Sequence, residues 1–167
     1  MEIRAAHGRF SENATMIRSF QPSDTENVVA FHERVLRETG AFAPGLWNDD
    51  MKNIEEVYIR SGGCFILLEE ENSLLAMGAL RIICPTEAEI KRMRVEPSRQ
   101  RQGLGQQVLD NLLSRAKERG IDRVILDTTE VQRAAQQFYQ KNGFVEYKRG
   151  RWNDLTLIFY EKRLRRT

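Results

Sequence analysis

The stretch Glu89 to Lys117, EIKRMRVEPSRQRQGLGQQVLDNLLSRAK, reads as a strand, a basic turn, a glycine pair and an amphipathic helix. In the strand half, apolar Ile90 is followed by Met93 and Val95 rather than by Arg92. The period-two alternation therefore slips by one between Lys91 and Met93, as a β-bulge makes it do. A bulge leaves backbone groups unpaired, and those can face a ligand.

Beyond Pro97, the run Arg99 to Gly105 opens into Leu104, Val108, Leu112, Leu113 and Ala116, the i, i+4 stripe of a helix with one buried face. Gly120 stops it. The first turn of such a helix offers free N–H groups and the positive end of the dipole. Gly103 and Gly105 carry no side chain to obstruct it, and Arg99 and Arg101 lie nearby. That combination suits an anion, phosphate above all. A glycine pair alone serves a tight strand-to-helix turn as readily. Two familiar phosphate motifs fail on spacing: the dinucleotide fingerprint needs a small residue where Val108 stands, and the P-loop Gly-Lys-Ser/Thr is absent.

Gln100-x-x-Gly103-x-Gly105 resembles the Arg/Gln-x-x-Gly-x-Gly/Ala signature of the GCN5-related N-acetyltransferase (GNAT) superfamily. The likeness extends to Glu89 on the preceding strand and to Ala135-x-x-Phe138-Tyr139-x-x-x-Gly143-Phe144 downstream, in order and spacing, and covers roughly residues 16–163. It implies a mixed α/β, single-domain fold. The sheet is central and mostly antiparallel with one parallel strand pair, flanked by helices in the order β-α-α-β-β-β-α-β-α-β-β. The domain is expected at 16–163, with an N-terminal extension at 1–15 and a basic tail at 164–167.

The same resemblance implies acetyl-coenzyme A as co-substrate, no metal, and direct attack of an amine on the thioester. The diphosphate is expected on the turn Gln100, Arg101, Gln102, Gly103, Leu104, Gly105 and Gln106, held chiefly by backbone N–H groups. The pantetheine arm is expected against the backbone of Met93 and Val95, where an N–H would also face the thioester oxygen. Glu89 holds the position of the catalytic glutamate, directly or through a water; on a strand edge it can equally face solvent or pair with Lys91. Tyr139 matches the tyrosine near the sulfur, and a phenol of pKa about 10 can protonate a departing thiolate; a core tyrosine is the plainer reading. Gln132 stands where the family often has an asparagine that contacts the arm. The loop Ala41 to Asn48 and its flanks would form the acceptor wall, with Trp47, Asp49 and Asp50 as contacts for a cationic acceptor, against the plainer readings of a packed aromatic and an acidic helix start. A non-catalytic acyl-CoA-binding or regulatory domain of the same fold would keep the glycine turn and dispense with Glu89 and Tyr139. Both are present.

Composition narrows the setting. At 167 residues, 41% apolar and 30% charged, the chain is expected to form one domain that buries about 70% of its unfolded surface. No apolar run approaches the ~18 residues of a membrane span, and residues 1–15 lack the apolar core of a signal peptide. The expectation is therefore a cytoplasmic protein that engages no membrane and no nucleic acid; Arg163 to Arg166 reads as a solvated tail. A homodimer is compatible with this reading. Cys64 and Cys84 sit in apolar strands without metal spacing, so buried reduced thiols are expected. Net charge is +2, yet residues 1–98 hold 11 Lys/Arg against 16 Asp/Glu and residues 99–167 hold 15 against 8. A basic half suits a polyanionic cofactor, and an acidic half a cationic acceptor; uneven solvated faces account for the clusters equally well.

The rest of the chain is patterned around the central stretch. Thr15 to Phe20 predicts a strand, and the capping box Ser23-Asp24-Thr25-Glu26 opens a helix that ends at Gly40. His32 lies in that helix as a packed or solvent-facing residue, with no partner placed for catalysis. A second helix is expected over Asp49 to Arg60. Cys64–Glu69 and Leu74–Ile83 read as a hairpin and Thr86–Val95 as the third antiparallel strand. Ile121–Asp127 follows in parallel by the crossover rule. Thr129-x-x-Gln132 caps a helix that ends at Asn142-Gly143, and Phe144–Lys148 with Leu155–Tyr160 closes the domain as a hairpin.

Overall fold

Seven strands form one sheet because nearly every apolar run in the chain is short, β-branched and bounded by turns. In the computed structural model, which describes residues 14–42 and 48–164, these are β1 (Met16–Ser19), β2 (Cys64–Glu70), β3 (Ser73–Cys84), β4 (Glu87–Val95), β5 (Arg123–Thr129), β6 (Val145–Trp152) and β7 (Leu155–Arg163). Their spatial order is β1-β2-β3-β4-β5-β7-β6. All neighbours are antiparallel except β4 and β5, which are parallel. Three helices pack on the sheet: α1 (Thr25–Glu38), α2 (Leu104–Glu118) and α3 (Arg133–Lys141). The expected mixed α/β sheet with its parallel pair is what the chain forms. The expectations for residues 1–13, for Trp47 and for the tail at 165–167 lie outside the described residues.

Alternation along the strands sorts the core into two layers. Ile66, Leu68, Leu80 and Ile90 point to the face covered by α2 and α3, where Val108, Leu109, Leu112 and Tyr139 meet them. Phe65, Leu67, Met77 and Ala79 point to the face of α1, against Val28, Phe31, Val35 and Tyr58. Residues of β2 are buried on both faces, which explains its unbroken apolar run.

Three local expectations are corrected. The segment after Asp49 is not a helix to Arg60: residues 49–53 form turns held on Asn48 and Asp50 carbonyls, and only Glu55–Arg60 is helical, as a single π-type turn. The Asp50 carboxylate is drawn away to Arg92 and Tyr58, so it cannot serve a helix start. The box at the start of α1 is formed two residues earlier, with Asp24 accepting from the Gln21 N–H at 2.7 Å; Arg18 fixes that carboxylate from the other side. Finally, Cys64 is buried but Cys84, at the end of β3, is exposed.

The feature that positions the site is the parting of β4 from β5. They pair only over Glu87–Glu89 against Arg123–Ile125, so the rest of β4 has no strand partner on that side. Just past this point the β3–β4 register slips, Ala79 facing Lys91 and Met77 facing Arg94. Arg92 adopts a left-handed backbone with φ of 58°, which costs a non-glycine residue about 1–2 kcal/mol. The bulge read from the misplaced alternation is thus located at Arg92-Met93. Gly78 lies opposite it, where a Cβ would come within 2.7 Å of Val108, 2.8 Å of the Met93 sulfur and 2.9 Å of Leu112.

Candidate active site

The open ends of β4 and β5 border a cavity of about 240 Å³. Lys91, Arg92, Met93 and Arg94 line it from β4, Asp127 and Thr128 from β5, Gln132 and Tyr139 from α3. Leu155, Leu157 and Trp152 close it from the β6–β7 hairpin, and Leu36, Ala41 and Asn48 from the α1 side.

At one side of the opening, α2 begins. Gly103 is its N-cap at φ of 82°, with open space where a Cβ would project. The first helical bond closes from the Gln107 N–H to the Gly103 carbonyl at 3.0 Å. The N–H groups of Leu104, Gly105 and Gln106 therefore have no acceptor within the helix. Side chains around this turn are largely committed elsewhere. Arg99 pairs with Glu70 at 2.8 Å and with Gln102 at 2.9 Å; the Gln106 amide donates to Asp110 and Asn142. Gln100 and Arg101 stay exposed, Arg101 with a left-handed φ of 59°. Gly105 has a different role from Gly103, since its Cβ position lies 3.4 Å from Val95 and 3.9 Å from Phe138: it lets α2 approach β4.

Tyr139 reaches the cavity from α3 and is otherwise buried, its ring edge-on to Phe138 and Phe144 at centroid distances of 5.3 and 5.7 Å. Burial pushes its phenol up to about 12, a rise that nearby Arg94 opposes. Gln132 turns its carbonyl inward to the Thr128 hydroxyl at 2.8 Å and the Thr129 N–H at 3.3 Å, so its amide nitrogen is the end left for a ligand. Val95 and Met93 pack their side chains on the α2 face. The Met93 carbonyl already accepts from Arg94 Nη1 at 2.6 Å.

Glu89 is 8% exposed and does not line the cavity. It is paired with Arg81 and, at 3.4 Å, with Lys91. Lys91 in turn lies 3.6 Å from Asp127, the carboxylate that does reach the cavity wall. Glu89 and the opening are thus joined by an ion chain and not by direct exposure.

The α1 side holds a charged network that the sequence did not disclose. Asp50 accepts from Arg92 Nε at 2.8 Å, from its Nη2, and from the Tyr58 hydroxyl. Burial raises the Asp50 pKa, but these donors and the Arg92 charge outweigh it and hold the carboxyl below its ordinary value. The expectation of Asp50 as a contact for a cationic acceptor is therefore corrected: the carboxylate is occupied. Asp49 is exposed. His32 is fully buried, its Nε2 3.0 Å from Asn48 Oδ1 and its Nδ1 without a partner among the described residues. Burial, then the charges of Arg94 and Arg92, push its pKa down to about 4, so it is neutral at physiological pH. Among the described residues no cluster of His, Cys, Asp and Glu could hold a metal ion, and no helix is long and apolar enough to cross a membrane.

Known proteins similar to this chain are acetyltransferases. Human N-acetyltransferase 8 is 35% identical over 102 residues, which covers 57% of this chain and 44% of that one. The chain spans about half the length of the curated relatives it matches. The crystal structure of a GNAT-family acetyltransferase from Staphylococcus aureus Mu50 superposes with a TM-score of 0.83 at 27% identity, covering 91% of this chain and all of that one. That of yncA from Salmonella typhimurium, solved with its cofactor acetyl-CoA, shares the fold at a TM-score of 0.74 and 20% identity over 93% of this chain and 96% of its own. The model of the acetyltransferase (GNAT) family matches residues 28–144, a span that takes in the bulge, the glycine turn and Tyr139 alike, and the chain belongs to that family.

Proposed function

We propose that the protein transfers an acetyl group from acetyl-coenzyme A to an amine. The observation that carries this reading is the parted β4–β5 edge: unpartnered strand backbone beside a bulge, with free helix N–H groups at one side and a buried tyrosine facing in. The open space over Gly103 fits a diphosphate on the N–H groups of Leu104, Gly105 and Gln106. The edge of β4 near Met93 and Val95 fits an extended amide-bearing arm. Acetyl-coenzyme A supplies an activated acyl carbon. The residues of the chain orient it and move protons.

In the transfer, the neutral amine nitrogen bonds to the acyl carbon, the carbon–sulfur bond breaks, the thiolate takes a proton, and the proton that nitrogen sheds as the amide forms restores the group that gave it. Tyr139 supplies that proton. Its elevated pKa keeps the phenol protonated at neutral pH and makes it a weak acid, adequate for a thiolate only because the sulfur is adjacent and water is excluded. An amine of pKa about 10 must lose a proton before attack. Glu89 is the terminal acceptor in this reading. Because it does not line the cavity, the route passes through water along Lys91 and Asp127. The position of Asp127 also supports a second reading, in which Asp127 takes the proton first.

The test is release of coenzyme A thiol across a panel of amines, peptides and proteins. Turnover on any amine supports transfer. Cofactor binding with no turnover on the whole panel would instead leave the alternative of an acyl-CoA-binding domain.

A further inference from the structure

We propose that the acceptor carries a carboxylate beside its reacting amine and that Arg94 binds it; this deepens the acetyl-transfer reading and rests on it. Three cations of β4 border the cavity. Lys91 is shared between Glu89 and Asp127, and Arg92 is held by Asp50. Arg94 has no carboxylate partner among the described residues: Nη1 donates to the Met93 carbonyl, and Nε is buried with no acceptor. Residues 43–47, which join Phe42 to Asn48, read Ala-Pro-Gly-Leu-Trp and include no acid.

Its surroundings make this charge costly. Burial, and then the neighbouring Arg92, lower its pKa to about 10, which still leaves it a cation at neutral pH. His32 beside it is neutral and offers no compensation. Tyr139, Tyr58 and Asp50 offset this cost only in part; a partly buried guanidinium with no ion-pair partner destabilises the free protein, and an anion in the cavity would remove that penalty. The anions of coenzyme A do not fit this role. The turn suited to phosphates is at the start of α2, whereas Arg94 interacts with Tyr139, next to the uncharged thioester end. The negative charge must then arrive with the acceptor. Apolar Leu36 on the α1 side and Leu155 and Leu157 on the β6–β7 side of the same cavity suit an apolar substituent. An amino acid with a free carboxylate and an apolar side chain meets all three requirements.

The experiment measures thiol release at saturating acetyl-coenzyme A with apolar amino acids, their amides and the corresponding decarboxylated amines, for the parent, Arg94→Met and Arg94→Lys. A charge-assisted pair predicts that the parent prefers the acid over its amide by about 10- to 100-fold in kcat/KM. In Arg94→Met this ratio falls toward one, through KM for the acid; Arg94→Lys keeps part of it. Arg94→Met should melt no lower than the parent, since it removes an uncompensated charge. Equal or better use of the amides by the parent overturns the proposal. So does an equal loss of kcat on all three acceptor types in Arg94→Met, which would make Arg94 a donor to the reacting oxygen. If coenzyme A binds and no acceptor turns over, it is the acetyl-transfer reading that fails. Calorimetric titration of phenylalanine and leucine into the coenzyme A complex then decides the anion site: binding lost in Arg94→Met supports it, and no binding to the parent overturns it.

Discussion

Replacing Asp50 by Asn asks whether the strained bulge that opens the cleft is held in place by one ion pair. The Arg92 side chain is 9% exposed and that of Asp50 19%, and Arg92 carries the left-handed backbone of the bulge. Breaking one member of a buried pair costs about 3–5 kcal/mol. The residual solvent contact of Asp50 lowers this to about 2–3 kcal/mol. At about 2–4 °C per kcal/mol for a chain of this size, the melting temperature should fall by roughly 5–10 °C. The sign with pH follows from the lowered Asp50 pKa. The stabilisation is fully present above the unfolded carboxyl value near 4 and is lost as pH falls through the lower folded value, so parent and variant should begin to converge below about pH 4 and coincide only below the folded value. Affinity for coenzyme A should drop with stability at neutral pH, because β4 loses its bulged geometry. The double variant Asp50→Asn with Arg92→Met should recover stability, since no buried charge is then left alone. A loss below about 0.5 kcal/mol, or a double variant that simply adds the two single losses, would refute this account of the bulge.

Other perturbations probe the remaining parts. Tyr139→Phe keeps the ring contacts with Phe138 and Phe144, so melting should stay near parental while turnover falls by ~10² to 10⁴; a melting loss without a rate loss would make the residue structural. With its phenol near 12, this acid should give the parent no falling limb in its rate profile below about pH 11. Glu89→Gln should slow turnover by an amount that shrinks as pH rises and free amine accumulates; parental rates at every pH would remove Glu89 from the proton route. Gly78→Ala places a methyl against Val108, Leu112 and Met93 and should cost about 1–3 kcal/mol by urea unfolding, whereas a parental midpoint would mean that β3 and α2 are less tightly packed than described.

Those features legible in the sequence are the ones set by local pattern. The shift from Ile90 to Met93 and Val95 located the bulge because a bulge changes the side-chain period itself. Gly103 and Gly105 marked the turn because residues without side chains leave a helix start open to approach, and Gly103 proves to be its left-handed N-cap. The parallel placement of β5 followed from the strand–helix–strand crossover. What stayed hidden depends on which distant side chains meet. Asp50 reads as a helix-start acid until Arg92 and Tyr58 claim it, and that diversion also delays the helix to Glu55. Arg94 looks like any strand arginine, since a missing partner has no sequence signature. Glu89 stands at the right spacing, but its pairing with Arg81 comes from the β3–β4 register, in which those two residues are opposite each other. Nothing in the local pattern singles out Gly78; it is the close approach of α2 to the bulge that requires it.

The central claim, that the α2 turn holds the coenzyme A diphosphate, is tested most directly by calorimetric titration of coenzyme A into the parent and into Gly103→Asp. Aspartate tolerates the left-handed conformation of this position better than most residues, its Cβ meets open space, and its charge favours a helix N-terminus. The fold should therefore persist, with a melting temperature at or near the parental value. The same carboxylate would lie where the phosphates are to sit, so binding should weaken at least ~100-fold, as expected when a charge-assisted contact becomes a repulsion. Parental affinity in a folded Gly103→Asp would contradict the account and move the diphosphate away from this turn.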